Sequence, residues 1–150
     1  MNTGRYRAWH FVHPDFDPAI REGSGLQFAP TGAVGTISGD ASVRQAVLLL
    51  LTTSPGERVM RPDYGCELRQ LVFSPNDDTT AGLAKHYVKR ALDRWEPRIE
   101  VLHLDADQST EDPAHLLIVL EYRVRATQAV DQLELSLNLV GESSHASAVA

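Results

Sequence analysis

Apolar residues in this chain recur first at helical spacing and later at strand spacing. Between Asp78 and Trp95 the positions Ala84, Tyr87, Val88, Ala91, Leu92 and Trp95 fall at three- and four-residue steps, which predicts a long helix with one core stripe. Lys85, Lys89, Arg90 and Arg94 lie mostly off that stripe, in the half of the helix where its dipole favours cations, and Pro97 stops it. Upstream, Ser42-Val43-Arg44-Gln45 has the form of a capping box, with Gln45 able to reach back to the Ser42 amide. The helix it starts should run to about residue 52. Its Leu48-Leu49-Leu50-Leu51 block is apolar all round and should be deeply buried. Leu68, Leu71 and Val72 suggest a short helix closed by Ser74-Pro75-Asn76.

After Pro97 the period changes to two. Ile99, Val101 and the residues around Leu104 form one strand. Leu116, Ile118, Leu120, Tyr122 and Val124 alternate with their neighbours to form a second. Leu133, Leu135, Leu137 and Leu139 alternate with Glu134, Ser136 and Asn138 to form a third. Short polar links between them imply an antiparallel meander with one face on the helices. The last strand, over 132–140, should form a sheet edge able to accept a strand from another chain. Two short strands, Leu26-Gln27-Phe28 and Val34-Gly35-Thr36-Ile37, flank the turn residues Pro30-Thr31-Gly32. The fold class expected is α+β, with helices packed on a small antiparallel β meander in a single domain. An irregular N-terminal arm over 1–25, a domain over 26–141 and a flexible tail over 142–150 complete the layout.

Length and composition narrow the function. At 150 residues, with 43% hydrophobic and 23% charged positions, the chain suits one globular domain with a real core. A net charge of −6 argues against nucleic acid as a partner, because a phosphate backbone needs a basic footprint. No apolar run approaches membrane-spanning length, and Trp9-His10-Phe11-Val12-His13-Pro14 is no secretory core, so a cytoplasmic protein without a membrane partner is expected. The single Cys66 excludes an internal disulfide and reads as a small core residue.

Candidate chemistry is sparse. Asp105-Ala106-Asp107-Gln108-Ser109 opens like a calcium loop, but Thr110 stands where the glycine belongs and Leu116 where the bidentate Glu belongs. A hairpin loop ending in Glu111-Asp112-Pro113 accounts for it better. His10, His13, Asp15 and Asp17 lie close together but fit no zinc frame, so no metal and no cofactor is expected. His86, His103, His115 and His145 are scattered, with no nucleophile motif beside them. Glu57, Asp63, Glu67 and Glu96 are candidate carboxylates for glycoside hydrolysis. Glu57-Arg58 and Glu96-Pro97-Arg98 each place a guanidinium beside the carboxylate, which favours its charged form and disfavours a general acid. No catalytic residue is therefore assigned. Arginine fills twelve of the fourteen basic positions. Its planar fork suits fixed geometry at turns and interfaces, so Arg58, Arg61 and Arg98 either pin their own loops or form, with Glu96, a rigid patch read by a partner.

Two ordered segments then carry a resemblance. The turn Pro55-Gly56-Glu57-Arg58 is followed by Arg61-Pro62-Asp63-Tyr64-Gly65, and a helix later by Glu96-Pro97-Arg98-Ile99. In that order, ahead of a β meander, they resemble the baseplate-wedge, sheath-initiator family of contractile injection machines. That family includes phage baseplate subunits, the TssE component of type VI secretion and the matching subunit of phage-tail-like particles, and some members carry the label tail lysozyme. The resemblance covers roughly residues 26–140. It implies a structural subunit with no chemistry of its own, working in the baseplate of a contractile particle. Glu96, Pro97 and Arg98 would dock on the wedge core. The strand carrying Leu133, Leu135, Leu137 and Leu139 would template the first ring of sheath subunits. Wedge and sheath proteins are then the expected partners, with the tube or hub open to residues 1–25. The alternatives are a peptidoglycan hydrolase of the tail-lysozyme type and a free-standing adaptor domain.

Overall fold

The computed structural model describes residues 6–12, 25–141 and 147–149. Strands β1 (Ala8–Trp9), β2 (Phe11–Val12), β3 (Gly25–Leu26) and β4 (Thr36–Ile37) precede helix α1 (Asp40–Thr52). A 3₁₀ turn (Glu67–Leu71) and helix α2 (Asp78–Trp95) follow, and then β5 (Ile99–Gln108), β6 (His115–Val124), β7 (Val130–Asn138) and β8 (Ser147–Val149). The result is an α+β fold in which the helices pack on one face of an antiparallel sheet.

Helix α2 carries the expected stripe: Ala84, Val88, Ala91 and Leu92 are buried, and Tyr87 and Trp95 pack against the core from its margin. The Asp77 carboxylate caps it by accepting from the Thr80 amide at 2.8 Å. The sheet matches its period-two pattern, with Leu116, Ile118, Leu120, Tyr122 and Val124 of β6 wholly buried against the helices. β5 pairs β6 from Ile99↔Val124 to Gln108↔Leu116, with a register shift between Val101 and His103, and β6 pairs β7 from His115↔Asn138 to Arg123↔Val130. Asp105 and Asp107 thus sit on β5, opposite Val119 and Leu117, ahead of the hairpin loop.

Helix α1 begins differently from its sequence pattern. It starts at Asp40 after Gly39, whose positive φ of 67° turns the chain, and no side chain caps it. The Ser42–Gln45 box does not form. Ser42 lies buried in the first turn, its amide bonded to Gly39 O, while the Gln45 side chain donates to Trp9 O and accepts from the Phe11 amide. Gln45 satisfies strand backbone in place of its own helix end, because β1 and β2 bring Trp9 O and the Phe11 amide within its reach. The expected irregular lead-in accordingly contains two short strands. β1 pairs β4 through Ala8↔Ile37 and Trp9↔Thr36, and β2 pairs β3 through Phe11↔Leu26 and Val12↔Gly25.

A second difference lies at the C-terminal end. A flexible tail was expected after Gly141, with the 132–140 strand as the last of the sheet. Ser147–Val149 instead forms β8 and pairs with Glu134–Ser136 of β7, giving the order β5-β6-β7-β8. Backbone groups at a sheet edge gain from any antiparallel segment that can reach them, and the chain's own end supplies one.

Candidate partner-binding surface

The loop from Thr53 to Cys66 is built as a closed frame. Cys66 N donates to Thr53 O at 2.8 Å across its neck, and Gly56 N donates to Pro62 O at 2.7 Å across its middle. Smaller turns sit inside: Glu57 N to Ser54 O, Arg61 N to Arg58 O and Tyr64 N to Arg61 O. The Glu57 carboxylate accepts from the Ser54 amide and pairs with Arg69 at 3.2 Å. Gly65, at φ 136°, is required twice over. Its conformation suits glycine, and a Cβ there would run into Thr53 O and Pro55 N. Cys66 is buried at the neck, and burial pushes its thiol up to about 11, which keeps it protonated and unreactive.

This frame leans on the end of α2. Tyr64 and Trp95 meet edge to face with ring centroids 5.3 Å apart. Arg58 lies over the Tyr64 ring at 4.3 Å, while Arg94 at 4.8 Å and Arg61 at 6.0 Å lie over Trp95. Neither Arg58 nor Arg61 has a carboxylate partner among the described residues, whereas Arg94 approaches Asp63 at 3.7 Å and Arg90 pairs with Glu67 at 3.0 Å. Beneath them a shallow cleft of about 140 Å³ runs between Pro55, Gly65, Tyr87 and Trp95.

Glu96, Pro97 and Arg98 continue the surface. The Glu96 side chain is only 5% exposed and holds Arg98 with a two-pronged pair, Nε to Oε1 at 2.6 Å and Nη2 to Oε2 at 2.7 Å. That hydrogen-bonded pair raises the Arg98 pKa further, so its charge is permanent. The turn is tied to the sheet where Arg125 N donates to Arg98 O and Arg125 Nε to Ile99 O. Arg98 also stacks on Tyr6 at 5.2 Å. Burial raises the Tyr64 hydroxyl pKa, and the charges of Arg58, Glu96, Arg98 and Arg61 all act on that one hydroxyl. The structure therefore gathers the two motif segments into one arginine–aromatic cluster. Sequence reading missed Trp95 and Tyr6 as its platforms. The available signal was an aromatic residue one position before Glu96, flanked by Arg94 and Arg98.

Other candidates separate. Leu133, Leu135, Leu137 and Leu139 are all buried in the core, so β7 offers outsiders its backbone edge and not these side chains. His13, Asp15, Asp17 and His145 lie outside the described residues, and among the described residues no three His, Cys, Asp or Glu side chains converge on a metal position. No helix among the described residues is long and apolar enough to cross a membrane.

Comparison with known proteins agrees with this architecture. Residues 37–129, which contain both motif segments, match the family of baseplate wedge protein gp25. The baseplate wedge protein gp25 of Enterobacteria phage T4 is 26% identical over 93 residues, covering 62% of this chain and 68% of that one. A crystal structure from Geobacter sulfurreducens, described as a candidate tail lysozyme, is 41% identical, with a TM-score of 0.64 over 72% of this chain and 97% of that one. A chain in the baseplate of the anti-feeding prophage shares the fold at 21% identity, with a TM-score of 0.65 over 79% of this chain and 84% of that one. The chain belongs to the baseplate wedge protein gp25 family.

Proposed function

We propose that this chain is a structural, non-enzymatic baseplate subunit that links the wedge core to the first sheath ring. Its arginine–aromatic cluster docks on the wedge. The observation that carries this reading is the Glu96–Arg98 pair beside Tyr64, in which the carboxylate is buried and the guanidinium reaches the surface. Glu96 occupies two donors of the Arg98 fork and leaves Nη1 for a partner, so the guanidinium is presented in one orientation with little entropy left to lose on binding. Pro97 stiffens the same turn. Along the sheet, the stretches of the β7 edge not covered by Ser147–Val149 accept strands from sheath subunits through backbone hydrogen bonds.

The test is co-purification with the wedge subunits encoded alongside the chain, wild type against the double variant Glu96→Gln/Arg98→Ala. The double variant avoids stranding a buried carboxylate, so its circular-dichroism melt stays close to wild type. Loss of wedge association at an intact melt supports docking through this turn, and undiminished association removes it.

A second reading, peptidoglycan hydrolysis, draws on the Geobacter relative described as a candidate tail lysozyme. Against it, Glu57, Asp63, Glu67 and Glu96 each lie against an arginine, so none stands free as a proton donor. A muralytic assay decides: activity abolished by Glu57→Gln or Glu96→Gln would establish the hydrolase and displace the structural reading.

A further inference from the structure

The most exposed large apolar side chains among the described residues are Val59, at 95%, and Met60, at 91%. They sit side by side at the tip of the closed frame, between Arg58 and Arg61. A mobile loop exposing two apolar residues would need no explanation, because single exposed hydrophobic residues are common. This loop is not of that kind. Backbone bonds at its neck and middle, and the stacking of its two arginines on Tyr64 and Trp95, fix the loop while Val59 and Met60 stay exposed. Fixed apolar side chains that their own fold does not cover are what an interface anchor requires, because little side-chain or loop freedom remains to be lost on binding.

The neighbouring charges say what kind of surface receives them. Arg58 and Arg61 flank the tip and have no carboxylate partner among the described residues, whereas Arg69, Arg90, Arg94 and Arg98 are each paired within the chain. In a protein of net charge −6, two cations without a described carboxylate partner on either side of an apolar pair form a local reversal of sign. We propose that Val59 and Met60 form a preformed plug that seats in an apolar pocket rimmed by carboxylates on a wedge subunit, with Arg58 and Arg61 meeting that rim. This rests on the docking reading above and adds the anchor to it: Arg98 orients the contact, and the tip carries most of its apolar energy.

The experiment measures affinity of the full chain for the purified wedge subunits encoded with it, by titration at low and high salt. Val59→Ser/Met60→Ser should fold as wild type, because neither residue touches the core, and should lose at least about tenfold in affinity. Met60→Leu, which keeps an apolar side chain at the tip, should bind close to wild type. Arg58→Ala/Arg61→Ala should weaken binding at low salt and flatten its salt dependence. Wild-type affinity in Val59→Ser/Met60→Ser overturns the plug while leaving docking through Arg98 standing. Failure of the wild-type chain to bind any wedge subunit overturns the docking reading and the plug together. Self-association of the wild type that is lost in the tip variant, with wedge binding unchanged, would assign the tip to a second copy of the chain and overturn the proposal.

Discussion

Tyr64 and Trp95 are 31 positions apart, yet their rings meet edge to face at 5.3 Å and join the loop frame to the end of α2. Trp95→Ala should remove at once the ring contact and the platform on which Arg61 and Arg94 lie. The expected cost is about 2 to 3 kcal/mol, below that of a fully buried tryptophan because Trp95 is only half-buried. Thermal melts of the variant beside Tyr64→Phe check this, since the phenylalanine keeps the ring contact and should melt near wild type.

Glu96 and Arg98 are unequal partners. The carboxylate is buried at 5% exposure, while the guanidinium remains 30% exposed. Arg98→Ala strands a buried charge and should cost about 3 kcal/mol, whereas Glu96→Ala leaves a cation that water can still reach and should cost clearly less. Melts of the two single variants and the double variant form a cycle. An Arg98→Ala variant as stable as Glu96→Ala would contradict the burial asymmetry.

Glycine gives opposite signs at two sites. Gly65→Ala meets both a positive φ and a collision with Thr53 O and Pro55 N, so it should destabilise by more than about 2 kcal/mol. Gly82 lies in the exposed face of α2 with open space where a Cβ would sit. Gly82→Ala should stabilise by about 0.5 to 1 kcal/mol through helix propensity. Denaturant melts of the pair read both effects in one experiment.

Much of the fold is legible in the chain because its signals are local. The stripe of α2 and the alternation of β6 and β7 each repeat over several turns or pleats, and tertiary packing agrees with them. Three features were not. Ser147–Val149 is too short to show a period, and it becomes a strand only because the β7 edge lies within reach. Ser42 and Gln45 fit a capping box, but Gln45 serves Trp9 and Phe11, 36 and 34 positions away. The candidate surface was half visible: its turns announced themselves through Pro, Gly and paired charges. Their union through Tyr64 and Trp95 is a long-range contact that no spacing rule encodes.

Arg44 of α1, Asp131 of β7 and Tyr122 of β6 make a pH-dependent clasp. Arg44 Nη1 donates to Asp131 Oδ2 at 2.6 Å, and the Tyr122 hydroxyl donates to the same oxygen at 2.9 Å. Desolvation opposes the charge on Asp131, but these two donors outweigh it and hold its pKa below the usual carboxylate range. A depressed folded-state pKa adds stability above the unfolded value near about 4, and that stability is lost as pH falls through the folded one. Asp131→Asn should thus melt below wild type at pH 7, with the gap closing towards about pH 3. A gap that persists unchanged into acid would show that the clasp does not act through the carboxylate charge.

The placement of β8 bears most directly on assembly. Ser147–Val149 covers Glu134–Ser136, the middle of an edge whose side chains Leu133, Leu135 and Leu137 are committed to the core. Removing residues 142–150 should leave the fold intact, because the described core lies within 43–139, while uncovering a continuous strand edge. An uncovered edge recruits other strands. If β7 is where sheath subunits add, the truncated chain should bind purified sheath protein more readily than the full chain and should self-associate at high concentration. Sedimentation velocity with and without sheath protein reads both outcomes. A truncated chain that stays monomeric and gains no sheath binding would remove β7 from the sheath-contacting role and leave the arginine–aromatic cluster as the docking surface.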